Sequence, residues 1–249
     1  RINGDGSIRL IYDGTSAHNN GEVTTDSIAI ANQKFNVSYN NNAYVGFKYT
    51  SGEVHGLSTK SNVLTQLETW YQNNLTSFAN KIDTNAGFCG DRTPSTSNTT
   101  SNGSGGTGTT VTYYGAYIRL ANSTKSPVLT CGNTIDLYTT SSSTKGNRSL
   151  TYPIGLITAD EVYMAGGVWR TTNQSYYLYN GQYYWTLSPC NFNDSLALVF
   201  SVNTVGQLSA FYVRHTNGAR PVINLRSDVK FTFTGTGEKG TITNPYIVA

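Results

Sequence analysis

Charged residues are scarce in this chain of 249 residues, since Asp, Glu, Lys and Arg together make up 12% of it. The net charge of +3 is small, and no cluster of Lys and Arg alternates with aromatic residues, which argues against nucleic-acid binding. No run of about 20 apolar residues occurs, so the sequence predicts no membrane insertion. A signal peptide is also missing. Because the chain begins at Arg1 directly ahead of a predicted strand, we interpret it as a fragment whose export signal or anchor would lie upstream.

The common catalytic and metal-binding motifs are missing as well. His18, His55 and His215 are scattered and none has the spacing of a metal site. Neither a G-x-S-x-G turn nor a phosphate-binding loop is present. Asp160 and Glu161 are adjacent carboxylates at the start of a predicted helix, where their negative charge stabilises the helix through its dipole. A pair of glycosidase carboxylates is the alternative. We therefore expect no enzyme activity, no metal and no cofactor.

The polar residues that are present are mainly Asn, Ser, Thr and Gly, and they accompany 18 Tyr. This composition is typical of surface or secreted proteins rich in strands and turns, and the aromatic content argues against disorder. Cys89 and Cys131 each lie beside a glycine in a turn-like context, and a disulfide between them would close a loop of about 43 residues. Such a bridge indicates an oxidising, extracytoplasmic setting. Three free buried thiols are the alternative, and Cys190 is unpaired in either case.

The pattern of apolar residues predicts an α+β fold in a single domain over 1–249. One helix is predicted at Ser61–Leu75, with Ser61 as its cap, and a shorter one begins with a capping box at Thr158–Glu161 and ends at Gly166–Gly167. A Ser/Thr/Asn/Gly-rich stretch at 94–112 predicts a long exposed loop. Strands are predicted at Ile8–Tyr12, Ala43–Tyr49, Tyr184–Leu187, Ala197–Val202, Leu208–Val213, Pro221–Leu225 and Pro245–Ala249, with a hairpin over Tyr176–Trp185 that turns at Asn180–Gly181 and a further turn at Asn217–Gly218.

Several motifs resemble a known family. WTLSP, followed by a segment that ends in NGARPVINL, by a Gly/Thr-rich stretch and by NPYIV, is similar to the C-terminal part of C-type-lectin-fold variable proteins, the targets of diversity-generating retroelements in bacteria and phages. Upstream, GDGSIRLIYDG, NAYVGFKY, GFCGDR, YYGAYIRL and TYPIGLITADEVYMAGG resemble the larger bacterial surface proteins of this group. The resemblance implies a C-type lectin fold with two helices, short antiparallel strands and a long inserted loop.

The resemblance also implies a function for the segment at about 190–215. In such systems reverse transcription randomises adenines, and Asn codons of the form AAY can then become Phe, Leu, Val, Ser, Tyr, His, Asp, Arg and others, but never Lys, Glu, Gln, Met or Trp. From Cys190 to His215 the sequence contains no Lys, Glu, Met or Trp and a single Gln, Gln207. We expect this segment to bind a protein or glycan ligand on another cell, a host or a phage. The protein would be displayed outside the cell, on a bacterial surface, with a phage particle as the alternative.

Within this segment the sequence predicts which side chains bind and which form the frame. Phe200, Phe211, Tyr212, Arg214 and His215 are the expected anchors, because aromatic residues and Arg dominate binding energy. The predicted ligand-binding residues are Cys190, Asn191, Asn193, Asp194, Ser195, Leu196, Leu198, Phe200, Ser209, Phe211, Tyr212, Arg214 and His215. The predicted frame consists of Trp185, Leu187, Pro189, Ala197, Val199, Val202, Leu208, Ala219, Pro221, Ile223 and Leu225.

Two alternatives share the expected fold. A fixed glycan- or protein-binding adhesin would bind without diversification, although the EPN and WND motifs of calcium-dependent lectins are missing and Asn193–Asp194 alone is a weak calcium signal. A formylglycine-generating oxidase would need paired reactive cysteines, and only Cys190 lies near the expected face.

Overall fold

The structure is a computed structural model that describes residues 1–16, 28–95, 105–122, 125–233 and 235–249. It is an α+β protein, as the sequence predicts. Its strands in the described residues are β1 (Ile8–Ile11), β2 (Ala31–Lys34), β3 (Lys48–Tyr49), β4 (Thr59–Lys60), β5 (Phe88–Cys89), β6 (Thr112–Tyr113), β7 (Leu137–Tyr138), β8 (Tyr184–Phe192), β9 (Ala197–Val202), β10 (Leu208–Tyr212), β11 (Thr216–Ala219), β12 (Val222–Leu225), β13 (Phe231–Thr232) and β14 (Ile247–Val248). Its α-helices there are α1 (Asn62–Asn74), α2 (Gly115–Leu120) and α3 (Ala159–Ala165), and short 3-10 turns lie at Asn42–Val45, Thr76–Lys81 and Thr134–Asp136.

The two predicted helices are confirmed, and their ends follow from local chemistry. The Ser61 side chain accepts a hydrogen bond from the Leu64 amide and begins α1. Thr158 and Glu161 form the predicted reciprocal capping box of α3, and Gly166 ends the helix with a φ of 119°. Within the described residues, no helix has the length and apolar character that a bilayer span needs.

The prediction of only two helices is wrong, because α2 is a third. Its six residues give too short a window for helical periodicity, and no side chain caps its start. Ala116 and Leu120 are fully buried. The amide of Tyr114, the residue before α2, donates to the Cys190 carbonyl at 3.2 Å. This helix is therefore fixed by tertiary contacts to β8.

A six-stranded sheet contains β8, β9, β10 and β11 from the C-terminal half of the chain, together with β2 and β6. Its order is β10-β9-β8-β11-β2, with β6 paired to β8 as a branch. The strands β8, β9 and β10 form an antiparallel meander, whereas β11 joins β8 in parallel through the single pair Gly218 and Tyr184. Near the termini, β1 pairs antiparallel with β12. One continuous hydrophobic cluster, which includes Phe35, Leu67 and Trp185, packs the helices against this sheet.

The predicted strand at Ala43–Tyr49 is mostly wrong. The Asn41 side chain accepts the Ala43 amide and begins a 3-10 turn, and only Lys48–Tyr49 is a strand. The buried Asn42 side chain donates to the carbonyls of Thr107, Gly108 and Thr110 at 2.7 to 3.3 Å. These long-range bonds override the β propensity of the segment.

The predicted hairpin over Tyr176–Trp185 lacks its first strand. The Tyr179 amide donates to the Tyr176 carbonyl at 2.9 Å, and both tyrosines are buried, so the chain turns inward instead of extending. Gly181 does adopt the left-handed conformation expected of the turn, with a φ of 73°. The second predicted strand begins at Tyr184 and continues to Phe192.

The predicted turn at Asn217–Gly218 is also wrong, because these residues lie in β11. The chain reverses earlier, where the His215 amide donates to the Tyr212 carbonyl at 2.8 Å. A methyl group added at Gly218 would lie 2.8 Å from the Tyr183 carbonyl oxygen. Glycine is therefore required at this position because two neighbouring strands approach closely, and not because the chain turns there.

The predicted exposed loop at 94–112 falls partly outside the described residues, which omit 96–104. At its C-terminal end the prediction of exposure is confirmed at residues 109 and 110 and is wrong at residues 105, 106 and 112. Residues 105 and 106 are buried, and Thr112 lies in β6 and is fully buried. The Gly106 amide donates to the Thr112 hydroxyl at 2.7 Å, which holds this end against the sheet.

Cys89 and Cys131 form a disulfide, with their Cα atoms 5.4 Å apart. Cys89 belongs to β5, which pairs with β7. The bridge therefore ties the 125–132 stretch to β5, the strand that precedes the long loop. The final strand is shorter than predicted and pairs Ile247–Val248 with β13.

Candidate functional site

The segment from Cys190 to His215 forms the end of β8, all of β9 and β10, and the turns that join them. In the first turn, the Asn193 side chain accepts the amides of Ser195 and Leu196 at 3.4 and 2.9 Å. Asp194 takes a left-handed φ of 83°, which Asp tolerates better than most residues. Asp194 and Ser195 are exposed, and their side chains bond to each other.

The second turn, at 203–207, is held by hydrogen bonds that involve Gln207. The Asn203 side chain accepts the Gln207 amide at 2.9 Å and donates to the Gln207 side chain at 2.8 Å. Gln207 also donates to the Thr172 hydroxyl at 3.1 Å. Gly206 has a φ of 77°, and a methyl group added there would lie 1.7 Å from the Asn173 carbonyl oxygen. This turn is therefore a fixed part of the frame.

The strand register brings four side chains into one row on the same face of the sheet. The pairs are Tyr113 with Asn191, Asn191 with Leu198, and Leu198 with Tyr212. Directly opposed residues of antiparallel strands have neighbouring side chains on one face. The row therefore crosses β6, β8, β9 and β10, and three of its four members belong to the predicted ligand-binding set.

Aromatic rings from outside the segment cover the same face. The Tyr113 and Tyr117 rings are 4.6 Å apart, the Tyr117 and Trp169 rings 6.1 Å, and the Trp169 and Phe200 rings 5.4 Å. The Arg170 guanidinium lies 5.0 Å from the Trp169 ring. The surface that results is called the aromatic face, and it consists of Tyr113, Tyr117, Trp169, Arg170, Leu198, Ala210 and Tyr212. Arg170 is exposed and the other members are half-buried.

Three predicted ligand-binding residues are buried, so their prediction is corrected. Phe200 is fully buried beneath Trp169, and Cys190 is 1% exposed. Asn191 lies in the row but is 9% exposed. The cover over this part of the sheet comes from α2 and from the stretch after α3, which are remote in sequence.

The remaining predicted residues do not form a single patch. Ser209 and Phe211 alternate with Ala210 and Tyr212 along β10 and therefore point to the opposite face. There the Phe211 ring contacts the Tyr183 ring at 5.3 Å. Leu196 is half-buried in the first turn.

Arg214 and His215 are exposed in the turn that follows β10. The Arg214 guanidinium lies 4.3 Å from the Tyr39 ring. The centre of the His215 ring lies 5.5 Å from that of Tyr212 and 5.8 Å from that of Phe211. His215 therefore lies at the end of β10, next to side chains from both faces of the sheet.

The predicted frame is largely confirmed. Ala197, Val199, Val202 and Leu208 are at most 1% exposed, as are Trp185, Leu187 and Ala219. Pro189, Pro221 and Leu225 are also buried, whereas Ile223 is half-buried.

Sequence reasoning missed Tyr113, Tyr117, Trp169, Arg170 and Ala210. Tyr113 ends β6 and Tyr117 lies in α2, and the sequence predicts neither element. Trp169 and Arg170 follow the glycines that end α3. The Arg170 amide donates to the Leu208 carbonyl at 2.9 Å, a pairing that no local pattern indicates.

Charge on this part of the surface is mostly positive. Between Val162 and Ser227 the sequence has one acidic residue, Asp194, and four arginines. Arg220 is buried and paired with Asp13, and Arg226 is paired with Asp228. Within the described residues, Arg170 and Arg214 have no carboxylate partner. Burial raises the pKa of Tyr117, with Cys190 and Tyr113 adding to the rise and Arg170 opposing it; this ring therefore stays neutral.

Asp160 and Glu161 are occupied by ion pairs. Arg119 donates to both oxygens of Asp160 at 3.0 and 2.9 Å, and the Arg9 guanidinium lies 2.6 Å from Glu161. A polar cavity of about 160 Å³ lies beside these pairs and the disulfide. Since both carboxylates are bound by guanidinium groups, the pair has a structural role.

The histidines remain apart, and His18 lies outside the described residues. His55 Nδ1 is 3.0 Å from an Asp136 carboxylate oxygen. Across the described ranges, no group of three or more His, Cys, Asp or Glu side chains could hold a metal ion.

Comparisons of the chain with protein-family models, with curated proteins and with solved structures find no match.

Proposed function

We propose that this chain is a ligand-binding domain with a C-type lectin fold, and that surface side chains between Cys190 and His215 are diversified by a retroelement. It would act outside the cell, on a bacterial surface or a phage particle. It would bind a protein or glycan on another cell, a host or a phage, without catalysis and without a cofactor.

The observation that carries the proposal is the separation of frame and surface within the segment. Along β9 only Leu198 is half-buried and the other residues are buried, whereas residues 209–212 of β10 are all half-buried. The flanking strands β8 and β12 are almost wholly buried. Leu198 and Tyr212 can therefore change without removing core volume, whereas a change at Val199 leaves a cavity. Substitutions at the half-buried positions of this face therefore leave the core packing of the sheet unchanged.

Gln207 supports the same interpretation. It is the one residue of the segment outside the set that adenine changes in an Asn codon can produce. Its side chain is engaged by Asn203 and Thr172. A residue in such a network is expected to be constant, so its presence is consistent with diversification at the neighbouring positions.

The architecture is compatible with the proposed fold. The strand near the N-terminus, β1, pairs with β12 near the C-terminus, and the segment forms strands between buried flanks. The formylglycine-type oxidase is disfavoured, because Cys190 is buried and the other two cysteines are joined in a disulfide.

The deciding experiment is to sequence the locus around the gene. We expect a near-copy of the region that encodes Trp185–Leu225, differing from it only at adenines, beside a reverse-transcriptase gene. The differing codons should encode exposed or half-exposed residues such as Asn193, Ser195 and Tyr212. If no such copy exists, diversification is ruled out and the domain is a fixed adhesin or a structural module, which a glycan array would test next.

At the protein level, two matched libraries test the separation of frame and surface. One library randomises Asn193, Ser195, Leu198, Tyr212 and Arg214 with NNY codons, and the other randomises Ala197, Val199, Phe200, Val202 and Leu208 with the same codons. Most members of the first should resist protease. Most members of the second should not, because truncation of one large core residue alone costs about 3–5 kcal/mol. Equal losses in both libraries would contradict a tolerant surface.

A further inference from the structure

Four residues of the aromatic face lie outside the segment proposed to vary. Tyr113 and Tyr117 come from β6 and α2, and Trp169 and Arg170 follow α3. They adjoin the segment directly, since Tyr113 is paired with Asn191 and Trp169 covers Phe200. Diversification of the segment would leave these residues unchanged, so every variant would present them beside its variable side chains.

Two arginines of this region, Arg170 and Arg214, are held in place by aromatic rings and have no ion-pair partner among the described residues. Arg170 lies over Trp169 and Arg214 over Tyr39, at 5.0 and 4.3 Å. Stacking on a ring orients a guanidinium while its N–H groups stay free to bind a carboxylate through two hydrogen bonds. Neither has a carboxylate partner in the described parts of the chain, and the nearby acid Asp194 is bonded to Ser195. The guanidinium groups of Arg170 and Arg214 could therefore bind carboxylates of a partner.

The shape of the face favours a protein partner. Several of the well-formed cavities in the described residues, with volumes of about 160 to 390 Å³, are lined by residues outside the aromatic face. Small ligands prefer concave sites. The row from Tyr113 to Tyr212 crosses four strands, which at about 4.8 Å per strand spans roughly 14 Å. Half-exposed Trp and Tyr with exposed Arg on such an open surface are the residues enriched in protein interfaces.

We propose that Tyr113, Tyr117, Trp169 and Arg170 form a constant wall of the binding face, which selects partner proteins that present carboxylates beside apolar side chains. Arg214 adds to this selection in the present variant. The inference rests on the proposed function, because it assumes that the aromatic face is the ligand-binding face.

The test uses the full chain with its disulfide intact and a protein probe of known composition. A yeast-displayed library of one small scaffold, with a randomised surface that allows all residues, is selected for binding to the chain. We expect the selected clones to be enriched in Asp and Glu. We expect Arg170→Glu to weaken most of them at least tenfold, and Trp169→Ala to weaken them as well. Arg226→Glu changes an exposed arginine away from the face and should have no effect.

Tyr212→Ala separates the failure of this inference from the failure of the proposed function. Clones weakened by Tyr212→Ala but not by Arg170→Glu would show a binding face without the constant wall. Clones insensitive to both would place binding elsewhere and contradict the proposed function itself. Arg170 is exposed, so its variant should keep the melting temperature of the wild type, which circular dichroism checks for every variant.

A glycan array with acidic and neutral sugars completes the design. Acidic glycans that bind the wild type and are lost in Arg170→Glu, without acidic protein clones, would overturn the choice of a protein partner. Selected clones without enrichment in carboxylates would overturn the charge selection.

Discussion

Cys190 is 1% exposed in β8, where its carbonyl accepts a hydrogen bond from the Tyr114 amide at the start of α2. Burial raises the pKa of its thiol well above the usual range, with Arg170 opposing the rise only in part. Because the thiolate is the reactive form, we expect the folded protein to resist iodoacetamide at pH 8. In guanidinium chloride the same thiol should react fully, and mass spectrometry measures both extents. Rapid labelling of the folded protein would instead restore the oxidase alternative.

At the scale of single residues, the sequence predicts burial well where the local pattern determines it. Ala197, Val199 and Leu208 are in the core as predicted. Cys190 and Phe200 were placed on the surface, and both are buried. Trp169 covers Phe200, and Cys190 lies beside the start of α2. Both neighbours are far away in sequence, so no pattern within the segment could reveal them.

At the scale of elements, the start of α3 combines a capping box with ion pairs. Burial alone would raise the pKa of Glu161, but Arg9, the hydrogen bond from the Thr158 amide and Arg1 together hold the pKa below its usual range. A carboxylate whose pKa is lowered by folding stabilises the folded state at pH values above its unfolded-state pKa of about 4.3. This stabilisation is lost as the pH falls through the folded-state pKa. The stabilising effect of Glu161 should therefore be complete at pH 7.

Glu161→Gln tests this directly. At pH 7 we expect the variant to lose about 3 kcal/mol in the free energy of unfolding, because Arg9 is left buried without its charged partner. The difference from the wild type should shrink between about pH 5 and pH 3 as Glu161 takes up a proton. Urea unfolding at each pH measures the difference. Asp228→Asn, in an exposed pair with Arg226, should change little, and a pH-independent loss in Glu161→Gln would contradict the role of charge.

The elements that the sequence predicts are those whose signals are local. Helices α1 and α3 carry their own caps, and β9 is bounded by turn residues, so their limits agree with prediction. The strand expected at Tyr176–Tyr179 is missing because the tyrosine side chains turn into the core. Similarly, Asn42 is held by carbonyls 65 to 68 residues away. Such contacts depend on the assembled fold and are not visible in local propensity.

At the scale of the whole molecule, the disulfide should contribute strongly to stability. Cys89 and Cys131 are separated by 42 residues, and loop closure of that length corresponds to about 4 kcal/mol in the chain-entropy model. We expect the Cys89→Ser, Cys131→Ser double variant to lose about that much in urea unfolding followed by tryptophan fluorescence.

A reducing agent provides the control for this experiment. It should lower the stability of the wild type to that of the double variant and leave the double variant unchanged. If the wild type under non-reducing conditions is no more stable than the double variant, the disulfide does not stabilise the fold.

The glycine at position 206 bears on which codons of the gene a retroelement can change. Its left-handed backbone and its contact with the Asn173 carbonyl exclude any side chain. Every glycine codon begins with two guanines, and the third base does not alter the amino acid. If the template copy also carries a glycine codon there, a mutagen that acts only on its adenines cannot change Gly206, and alanine and valine codons in that copy would give Ala197 and Val199 the same immunity. The genetic code itself would protect the positions where the fold tolerates least change.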